Sequence, residues 1–398
     1  MPLLRDFSTF VFQIQNRRMN ICICTSSFPL NRDEVYHRYL EDLILLLHNK
    51  GHEITILTQE KRGKKEKFIP HAEVVWFPWK IAEKEVLAEV SFKKLKNILS
   101  LFSLLYNGAR HSKKIVREKK IDIFICLWIV PSGLYVFLKN IFSKKTPYLL
   151  WSLGSDIYNN KDNFFTRLLL RLIINNSKAV FADGLELCDI IQKISSRKSE
   201  FLPTFHKINI PEASLADNPI AKKEITFLYV GRLTHVKGID VLIEAFKLLK
   251  EETGSLNFTC TIIGDGEMMA SLLNEVKKNN LTEKVLFIGK ITDEKVKAGY
   301  YNKADCIIIP SRSESIPVVL SEAVQYGKPL ITTNAGDMEL IVKKYNLGLV
   351  AEKENPVSLA STIKKFIAQP LQINQKDKKD LLDTLLFENS SQKLLDKI

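Results

Sequence analysis

Short apolar runs separated by amphipathic helical stretches recur along most of the chain, and this alternation limits the fold more than any other feature. The first series begins with Asn20–Thr25 and Glu53–Thr58 and continues as far as Ala179–Ala182. Strands that are apolar along their whole length need cover on both faces, as in a parallel sheet between two layers of helices. The sequence therefore predicts an α/β fold built on parallel sheets.

This alternation is interrupted once, in the segment Leu202–Glu224, which contains Pro203, Pro211 and Pro219 and shows little periodicity. Such a composition is typical of a linker. A second series of strands and helices begins at Thr226–Val230. With 398 residues, the chain is too long for one compact core. We therefore expect two doubly wound, Rossmann-like domains that face each other across a ligand cleft.

The expected boundaries follow from these patterns, because Met19 opens the first regular run and the prolines end the first series. The predicted segments are an N-terminal extension (1–18), a first domain (19–205), a linker (206–224), a second domain (225–370) and a helical C-terminal tail that returns to the first domain (371–398).

The formal net charge of +13 favours anionic partners, namely nucleotides, nucleic acid or an acidic membrane surface. No recognised nucleic-acid-binding motif is present, so nucleic acid is not expected as a partner. In the basic region Ser91–Lys120, apolar residues repeat at helical spacing: Phe92, Leu95, Leu99, Phe102 and Tyr106. Such a helix fits either an anionic membrane or a place on the sheet with a solvated basic face.

Two features favour a cytoplasmic protein. The most apolar stretch, Ile121–Phe142, contains Asp122, Pro131 and Lys139, which predicts a buried strand, turn and helix rather than a membrane span. The six cysteines form no Cys-x-x-Cys pair and have no His cluster beside them, so we expect reduced core thiols and no metal site. The expected location is the cytoplasm, including the inner face of the membrane.

The strongest candidate site begins where strand Thr226–Val230 runs into a short loop. Gly231 permits a tight turn, and Arg232 and Lys237 follow within the loop that ends at Gly238. Arginine offers a planar fork for phosphate oxygens and lysine a point charge, a combination suited to a diphosphate. The alternative is a surface turn with two solvated bases.

Two further loops of the second half add polar groups. Gly264 and Gly266 lie between a strand and a helix, where glycine permits close approach of a ligand to the backbone. Glu314 precedes a helix that starts at Pro317, and Glu322 lies inside that helix. Carboxylates accept hydrogen bonds from sugar hydroxyls. An ordinary turn and an exposed helical glutamate are the alternatives.

Together these motifs resemble those of the retaining GT-B-fold glycosyltransferases of family 4, the group 1 enzymes. The matching motifs are Gly231-Arg232…Lys237-Gly238, Ile263–Glu267, Glu314…Glu322 and Gly327-Lys328-Pro329…Glu339. The resemblance extends from about Met19 to the C-terminus and is strongest over residues 225–350. It implies transfer of a sugar, with retention, from a nucleotide-diphosphate sugar to a saccharide or lipid-linked acceptor in cell-surface polysaccharide or glycolipid synthesis.

The resemblance also implies roles for individual residues. Arg232 and Lys237 would hold the donor pyrophosphate, Glu314 would contact the transferred sugar, and these three form the implied catalytic set. Glu322 would bind the ribose. The other implied donor contacts are Gly231, Gly264, Gly266, Ile288 and Lys290 near the base, and Ile316, Pro317 and Val318 near the phosphates and sugar. Neither a metal nor a cofactor is implied, and the first domain would receive the acceptor.

The first half departs from the family pattern at two places. The family often has a Gly-Gly turn after its first strand, but this chain has Pro29–Glu34, where Asn31 can adopt turn geometry. Leu153 stands where many members have an active-site His before Gly-Ser-Asp. Either no base is needed there, or Asp156 replaces it, or this copy is inactive. Asp156 is also interpreted as a cap of the next turn, together with Ser155.

Other functions fit the sequence less well. A nucleotide-sugar epimerase of similar fold and a catalytically impaired sugar-nucleotide-binding protein are the remaining alternatives. A phosphorylase would need a cofactor-bearing lysine motif, which we do not find. A dinucleotide oxidoreductase would need Gly-x-Gly-x-x-Gly after the first strand, and that motif is missing.

Overall fold

Each of the two units of the computed structural model is built on one parallel sheet. The structure describes residues 18–31, 38–63, 65–66, 69–80, 95–208, 210, 224–255 and 257–398. The first unit runs to Leu202 and also includes Ser391–Ile398, and the second unit is Pro203–Ser390. The predicted extension therefore lies almost wholly outside the described residues, as do parts of the predicted linker.

The first unit contains a seven-stranded sheet in the order β3-β2-β1-β4-β5-β6-β7. Its strands are β1 Asn20–Cys24, β2 Glu53–Gln59, β3 Ala72–Phe77, β4 Ile123–Leu127, β5 Tyr148–Ser152, β6 Ala179–Ala182 and β7 Glu200–Phe201. The described helices before the second unit are α1 Arg38–Asn49, α2 Leu95–Glu118, α3 Leu134–Ile141, α4 Ser155–Tyr158, α5 Phe164–Asn175 and α6 Leu185–Ser195. All of its strand pairs are parallel, as the apolar strands predicted.

The second unit contains a six-stranded parallel sheet in the order β10-β9-β8-β11-β12-β13. Its strands are β8 Ile225–Val230, β9 Phe258–Ile263, β10 Val285–Gly289, β11 Cys306–Ile309, β12 Leu330–Thr333 and β13 Gly348–Ala351. The helices are α7 Ile239–Thr253, α8 Met269–Lys278, α9 Glu294–Lys303, α10 Val318–Gln325, α11 Met338–Lys344, α12 Pro356–Ala368, α13 Gln375–Leu385 and α14 Phe387–Ser390. The predicted doubly wound fold is therefore confirmed for both units.

The chain end is divided between the two units. Residues 371–390, with α13 and α14, belong to the second unit, whereas the last eight residues, with α15 (Gln392–Leu395), belong to the first. Lys178 donates a hydrogen bond to the Ile398 carbonyl at 3.1 Å, and Lys397 pairs with Glu200 at 2.9 Å. Because Glu200 lies on β7, the terminal segment packs beside an outer strand of the first sheet.

The most apolar stretch of the sequence has the predicted buried structure. It forms β4, an irregular turn at Ile129–Gly133 and helix α3. No described helix is long and apolar enough to cross a membrane. All six cysteines are free thiols, and Cys22, Cys24, Cys126 and Cys260 are fully buried in the sheets, as expected for core thiols.

Asp156 holds the turn that follows β5. Its carboxylate accepts hydrogen bonds from the Ile129 N–H at 2.7 Å and from the Ser152 hydroxyl at 2.9 Å, while Gly154 occupies the N-cap position of α4. The interpretation of Asp156 as a helix cap with Ser155 is therefore wrong, because the side chain turns inward to the loop after β4. Burial raises the pKa of Asp156 to about 6, and the hydrogen bonds oppose this shift.

Replacing Asp156 with Asn should change how stability depends on pH. A carboxyl with a raised folded-state pKa binds more protons in the folded state between about pH 4 and pH 6, so its contribution to stability falls as pH rises through that window. When the pH rises from 5 to 8, the free energy of unfolding of the Asp156→Asn protein should increase by about 1.4 kcal/mol relative to that of the native protein. Urea unfolding at both pH values measures this difference.

Asp189→Asn, which changes an exposed carboxylate on α6, is the matched control for the amide substitution. A stability difference between native and Asp156→Asn protein that is the same at pH 5 and pH 8 would contradict the account of this buried carboxyl.

Candidate donor site

The predicted donor-binding residues lie in or next to the loops that leave the carboxyl edge of the second sheet. Strands β8 and β11 are neighbours, and the strand order reverses between them, because β9 and β10 lie on one side and β12 and β13 on the other. Ligands of open α/β sheets bind outside the carboxyl ends of the strands at such a switch point. The loops that follow β8 and β11 carry Arg232, Lys237 and Glu314.

The two loops at the switch point pack backbone against backbone. Gly238 has φ +67°, and a Cβ atom there would lie 2.1 Å from the Pro310 carbonyl oxygen. Gly264 has φ +146°, and a Cβ atom there would lie 1.8 Å from the Gly231 carbonyl oxygen. Only glycine fits such contacts. The neighbouring loop fills the Cβ side of Gly264, so this glycine is needed for the packing of the two loops, and its contact with a ligand stays a prediction.

Gly266 also has a neighbouring carbonyl in the place of a side chain, because a Cβ atom there would lie 2.4 Å from the Leu233 carbonyl oxygen. Leu233 N–H donates to the Asp265 carbonyl at 2.9 Å, and Met268 N–H donates to the Leu233 carbonyl at 3.0 Å. The loop after β9 is thus fastened to the loop after β8. Gly264 and Gly266 therefore allow the loop after β9 to pack closely against the loop after β8, which carries Arg232 and Lys237.

Lys237 and Glu314 form an ion pair across the two loops. The side chains are 23% and 13% exposed, and the Ser311 hydroxyl donates a hydrogen bond to the Glu314 carboxylate at 3.1 Å. Lys237 ends a 3-10 turn (His235–Lys237) directly before Gly238. The sequence alternative of two solvated bases does not describe Lys237, because its ammonium group has a carboxylate partner and little exposure.

Tyr229 bonds to the backbone of Arg232 and lies within electrostatic range of Glu314. Its hydroxyl donates a hydrogen bond to the Arg232 carbonyl at 2.9 Å. Burial raises the pKa of Tyr229, the negative charge of Glu314 raises it further, and Arg232 lowers it. The Arg232 side chain itself is exposed. Sequence reasoning did not single out Tyr229, because a tyrosine within an apolar strand reads as an ordinary core residue.

Glu322 is buried rather than exposed on its helix. Its Oε1 accepts a hydrogen bond from Lys297 at 3.0 Å and its Oε2 from the Tyr301 hydroxyl at 2.5 Å, and the residue is 6% exposed. Lys297 also pairs with Glu294 at 3.2 Å. A carboxylate offers about four acceptor positions, so Glu322 keeps capacity for further hydroxyl groups. Lys297 and Tyr301 lie one turn apart on α9, and the motifs gave no signal for them.

The remaining donor candidates occupy the same edge of the sheet. Pro317 is the N-cap residue of α10, so Val318 begins the helix and its N–H lies at the positive end of the helix dipole. Ile316 is buried beside it. Ile288 and Lys290 are exposed at the end of β10 and directly after it, on the outer strand next to β9.

The candidates in the first half lie in the other unit. Asn31 follows β1, and the residues after it, 32–37, lie outside the described residues, so the turn that replaces the Gly-Gly pair is only partly described. Leu153 is partly exposed after β5, and Asp156 is engaged with Ile129 and Ser152 as described above. Both carboxylate oxygens of Asp156 thus serve the local fold.

Comparison with known proteins gives a consistent result for both halves of the chain. Residues 31–184 match the family model described as "Glycosyl transferase 4-like", and residues 212–380 match the one described as "Glycosyl transferases group 1". These ranges contain most of the two sheets and all the site residues named above.

Individual proteins agree with the family models. An uncharacterized glycosyltransferase of Methanocaldococcus jannaschii is 30% identical over 285 residues, which cover 69% of this chain and 72% of the relative. The capsular polysaccharide biosynthesis glycosyltransferase CapH of Staphylococcus aureus is 24% identical over 275 residues, which cover 66% and 74%. The solved structure of HepE from Anabaena in complex with UDP and glucose shares the fold, with a TM-score of 0.69, 14% identity, and coverage of 95% and 99%.

The sequence resemblance, the two parallel sheets and these matches lead to one conclusion. This chain belongs to the group 1 glycosyltransferases and consists of the two Rossmann-like domains of the GT-B fold.

Proposed function

We propose that this glycosyltransferase moves a sugar from a nucleotide-diphosphate sugar to a saccharide or lipid-linked acceptor, with retention of the anomeric configuration. The observation that supports this best is the Lys237–Glu314 pair beside Arg232 at the switch point of the second sheet. The pair brings a phosphate-binding cation and a hydroxyl-binding carboxylate into contact, which is what a ligand containing both a diphosphate and a sugar requires.

In this proposal, Arg232 and Lys237 bind the pyrophosphate and stabilise the nucleoside diphosphate as it departs. Charge develops on the leaving phosphate when its bond to the sugar C1 atom breaks, and fixed cations lower the energy of that transition state. Two side-chain cations can neutralise a diphosphate, so we propose a metal-independent reaction without a cofactor. Glu314, oriented by Ser311, contacts hydroxyl groups of the transferred sugar.

Glu322 is proposed to bind the ribose of the donor. Lys297 and Tyr301 hold its carboxylate in one orientation, so the remaining acceptor positions are fixed before the nucleotide arrives. The backbone of Ile316, Pro317 and Val318 meets the phosphates and the sugar, and the backbone near Ile288 and Lys290 meets the base.

Leu153 bears on how the acceptor loses its proton. A leucine cannot accept a proton, and the carboxylate of Asp156 is buried and hydrogen-bonded within the fold. We propose that the departing phosphate oxygen takes the acceptor's hydroxyl proton while the C1–phosphate bond breaks and the new C1–oxygen bond forms on the same face. The alternative is a copy that binds the donor without transferring the sugar.

The relatives narrow the choice of substrates to test first. HepE was solved with UDP and glucose, and CapH acts in capsular polysaccharide biosynthesis. These facts favour uridine nucleotides as the first donors to examine and cell-surface saccharides or glycolipids as the first acceptors.

An anionic membrane surface is proposed as a partner of the first unit, on the cytoplasmic side. Leu99, Phe102 and Tyr106 of α2 are exposed, the latter two by 66% and 68%. Arg110, Lys114 and Arg117 continue the same helix towards its C-terminus, and all three are exposed at helical spacing. Apolar side chains that enter the headgroup region and bases that meet anionic lipids are what interfacial helices combine. Phe92, Lys93 and Lys94 lie outside the described residues.

The donor assignment is tested with purified protein and a panel of UDP-, GDP- and ADP-sugars. One donor should raise the melting temperature through binding to the folded state, with slow release of the nucleoside diphosphate. Arg232→Ala should lower the rate of transfer by about 100- to 1,000-fold, because a preorganised charge at the leaving group is lost. Nucleoside diphosphate release gives both rates.

Lys277→Ala, which removes an exposed base from α8 of the same unit, is the control for loss of one positive charge. Near-native transfer by Arg232→Ala would refute the diphosphate site. Stabilisation by a donor, without release in the presence of saccharide or lipid acceptors, would indicate a nucleotide-sugar epimerase or a binding protein disabled at Leu153.

The membrane proposal predicts a loss of vesicle binding on replacement of the exposed aromatic residues. Phe102→Ser combined with Tyr106→Ser should reduce cosedimentation with vesicles of phosphatidylglycerol and phosphatidylcholine by about tenfold, because two apolar side chains no longer enter the interface. Leu273→Ser, at an exposed position of α8, is the control. Binding that is equal for the double variant and the native protein would show that α2 only packs on the sheet.

A further inference from the structure

Arg312 lies two residues before Glu314 but points to the other loop of the switch point. Its Nη1 donates hydrogen bonds to the His235 carbonyl at 2.6 Å and to Asp240 Oδ1 at 2.8 Å, and its Nη2 donates to Asp240 Oδ2 at 2.7 Å. Its Nε faces Glu354 at 3.3 Å. The guanidinium is therefore bound by a bidentate carboxylate, the strongest geometry for such a pair.

The backbone of Arg312 adds a second connection to the same loop. Its N–H donates to the Val236 carbonyl at 2.9 Å. His235 and Val236 directly precede Lys237, and Asp240 lies three residues after it at the start of α7. One residue of the β11–α10 loop thus holds the β8–α7 loop on both sides of Lys237.

The guanidinium group of Arg312 is occupied by ion pairs, so we do not expect it to bind the donor directly. Asp240 and Glu354 supply two carboxylates against one guanidinium, and the Arg312 side chain is only 14% exposed. An anionic ligand at this position would have to displace a bidentate carboxylate. Lys237, in contrast, is paired with Glu314, which the proposed donor also contacts.

From this geometry we infer that Arg312 is a positioning residue, which with Asp240 clamps the β8–α7 loop so that Lys237 stands ready for the donor diphosphate. The inference rests on the proposed function for the role of Lys237, although the clamp itself is a property of the two loops. Preorganisation of this kind lowers the cost of binding, because the loop does not have to be ordered when the donor arrives.

Asp240→Asn and Arg312→Lys test the clamp. Asp240→Asn removes the negative charge that binds the Arg312 guanidinium, with little change of shape. Arg312→Lys keeps the cation but loses the planar fork. Both should lower the affinity for UDP, GDP or ADP, whichever of the three the native protein binds best by calorimetry, by about tenfold or more. Glu252→Gln is the matched control, because it removes an exposed ion pair with Lys364 from the same helix, α7.

Hydrogen exchange supplies a readout that needs no ligand. The Lys237 N–H bonds to the Thr234 carbonyl and the Gly238 N–H to the His235 carbonyl, at 2.9 Å and 3.2 Å. In the two clamp variants these amides should exchange at least about tenfold faster, whereas amides of the core strand β9 keep their native rates.

The outcomes separate the clamp from the donor site. Faster loop exchange with weaker diphosphate binding supports the clamp. Native exchange at Lys237 and Gly238 in both variants, or native affinity despite a loosened loop, overturns it. If native protein binds none of the three nucleotides, the proposed donor site fails, and the exchange rates alone then decide whether Arg312 holds the loop.

Discussion

The backbone contact between Gly238 and the Pro310 carbonyl is the constraint on which the candidate site depends. Two loops that leave neighbouring parallel strands approach each other here so closely that no side chain fits between them. This contact brings Lys237 and Glu314 together although 77 residues separate them. Without it, the loop after β8 would be an ordinary surface turn with two bases.

Paired charges then determine the electrostatics of this edge. Lys237 pairs with Glu314, Arg312 with Asp240, and Lys297 with Glu322. Each pair joins groups from two different elements, and removing one partner would leave a poorly solvated charge. The charges of Lys237, Arg312 and Lys297 are therefore balanced locally by carboxylates, and Arg232 presents an exposed side chain at the same edge.

The sequence predicted the fold well because the interior strands are apolar along their whole length. It missed β7, because a strand of two residues is too short to show the pattern of a buried strand. The motifs also predicted the loops that carry Arg232, Lys237 and Glu314. They could not predict Lys297 and Tyr301, because these partners of Glu322 come from another helix and their role depends on packing. The inward orientation of Asp156 was missed for the same reason, since its partner Ile129 lies 27 residues away.

The last eight residues have a consequence for how the protein is made. They belong to the first unit, whereas the preceding 188 residues, from Pro203 to Ser390, form the second. The complete second unit is therefore synthesised before residues 391–398, whose contacts with Lys178 and Glu200 belong to the first unit. During synthesis Lys178 and Glu200 therefore wait for partners that follow the whole second unit in the chain, although domains generally fold as units from the N-terminus.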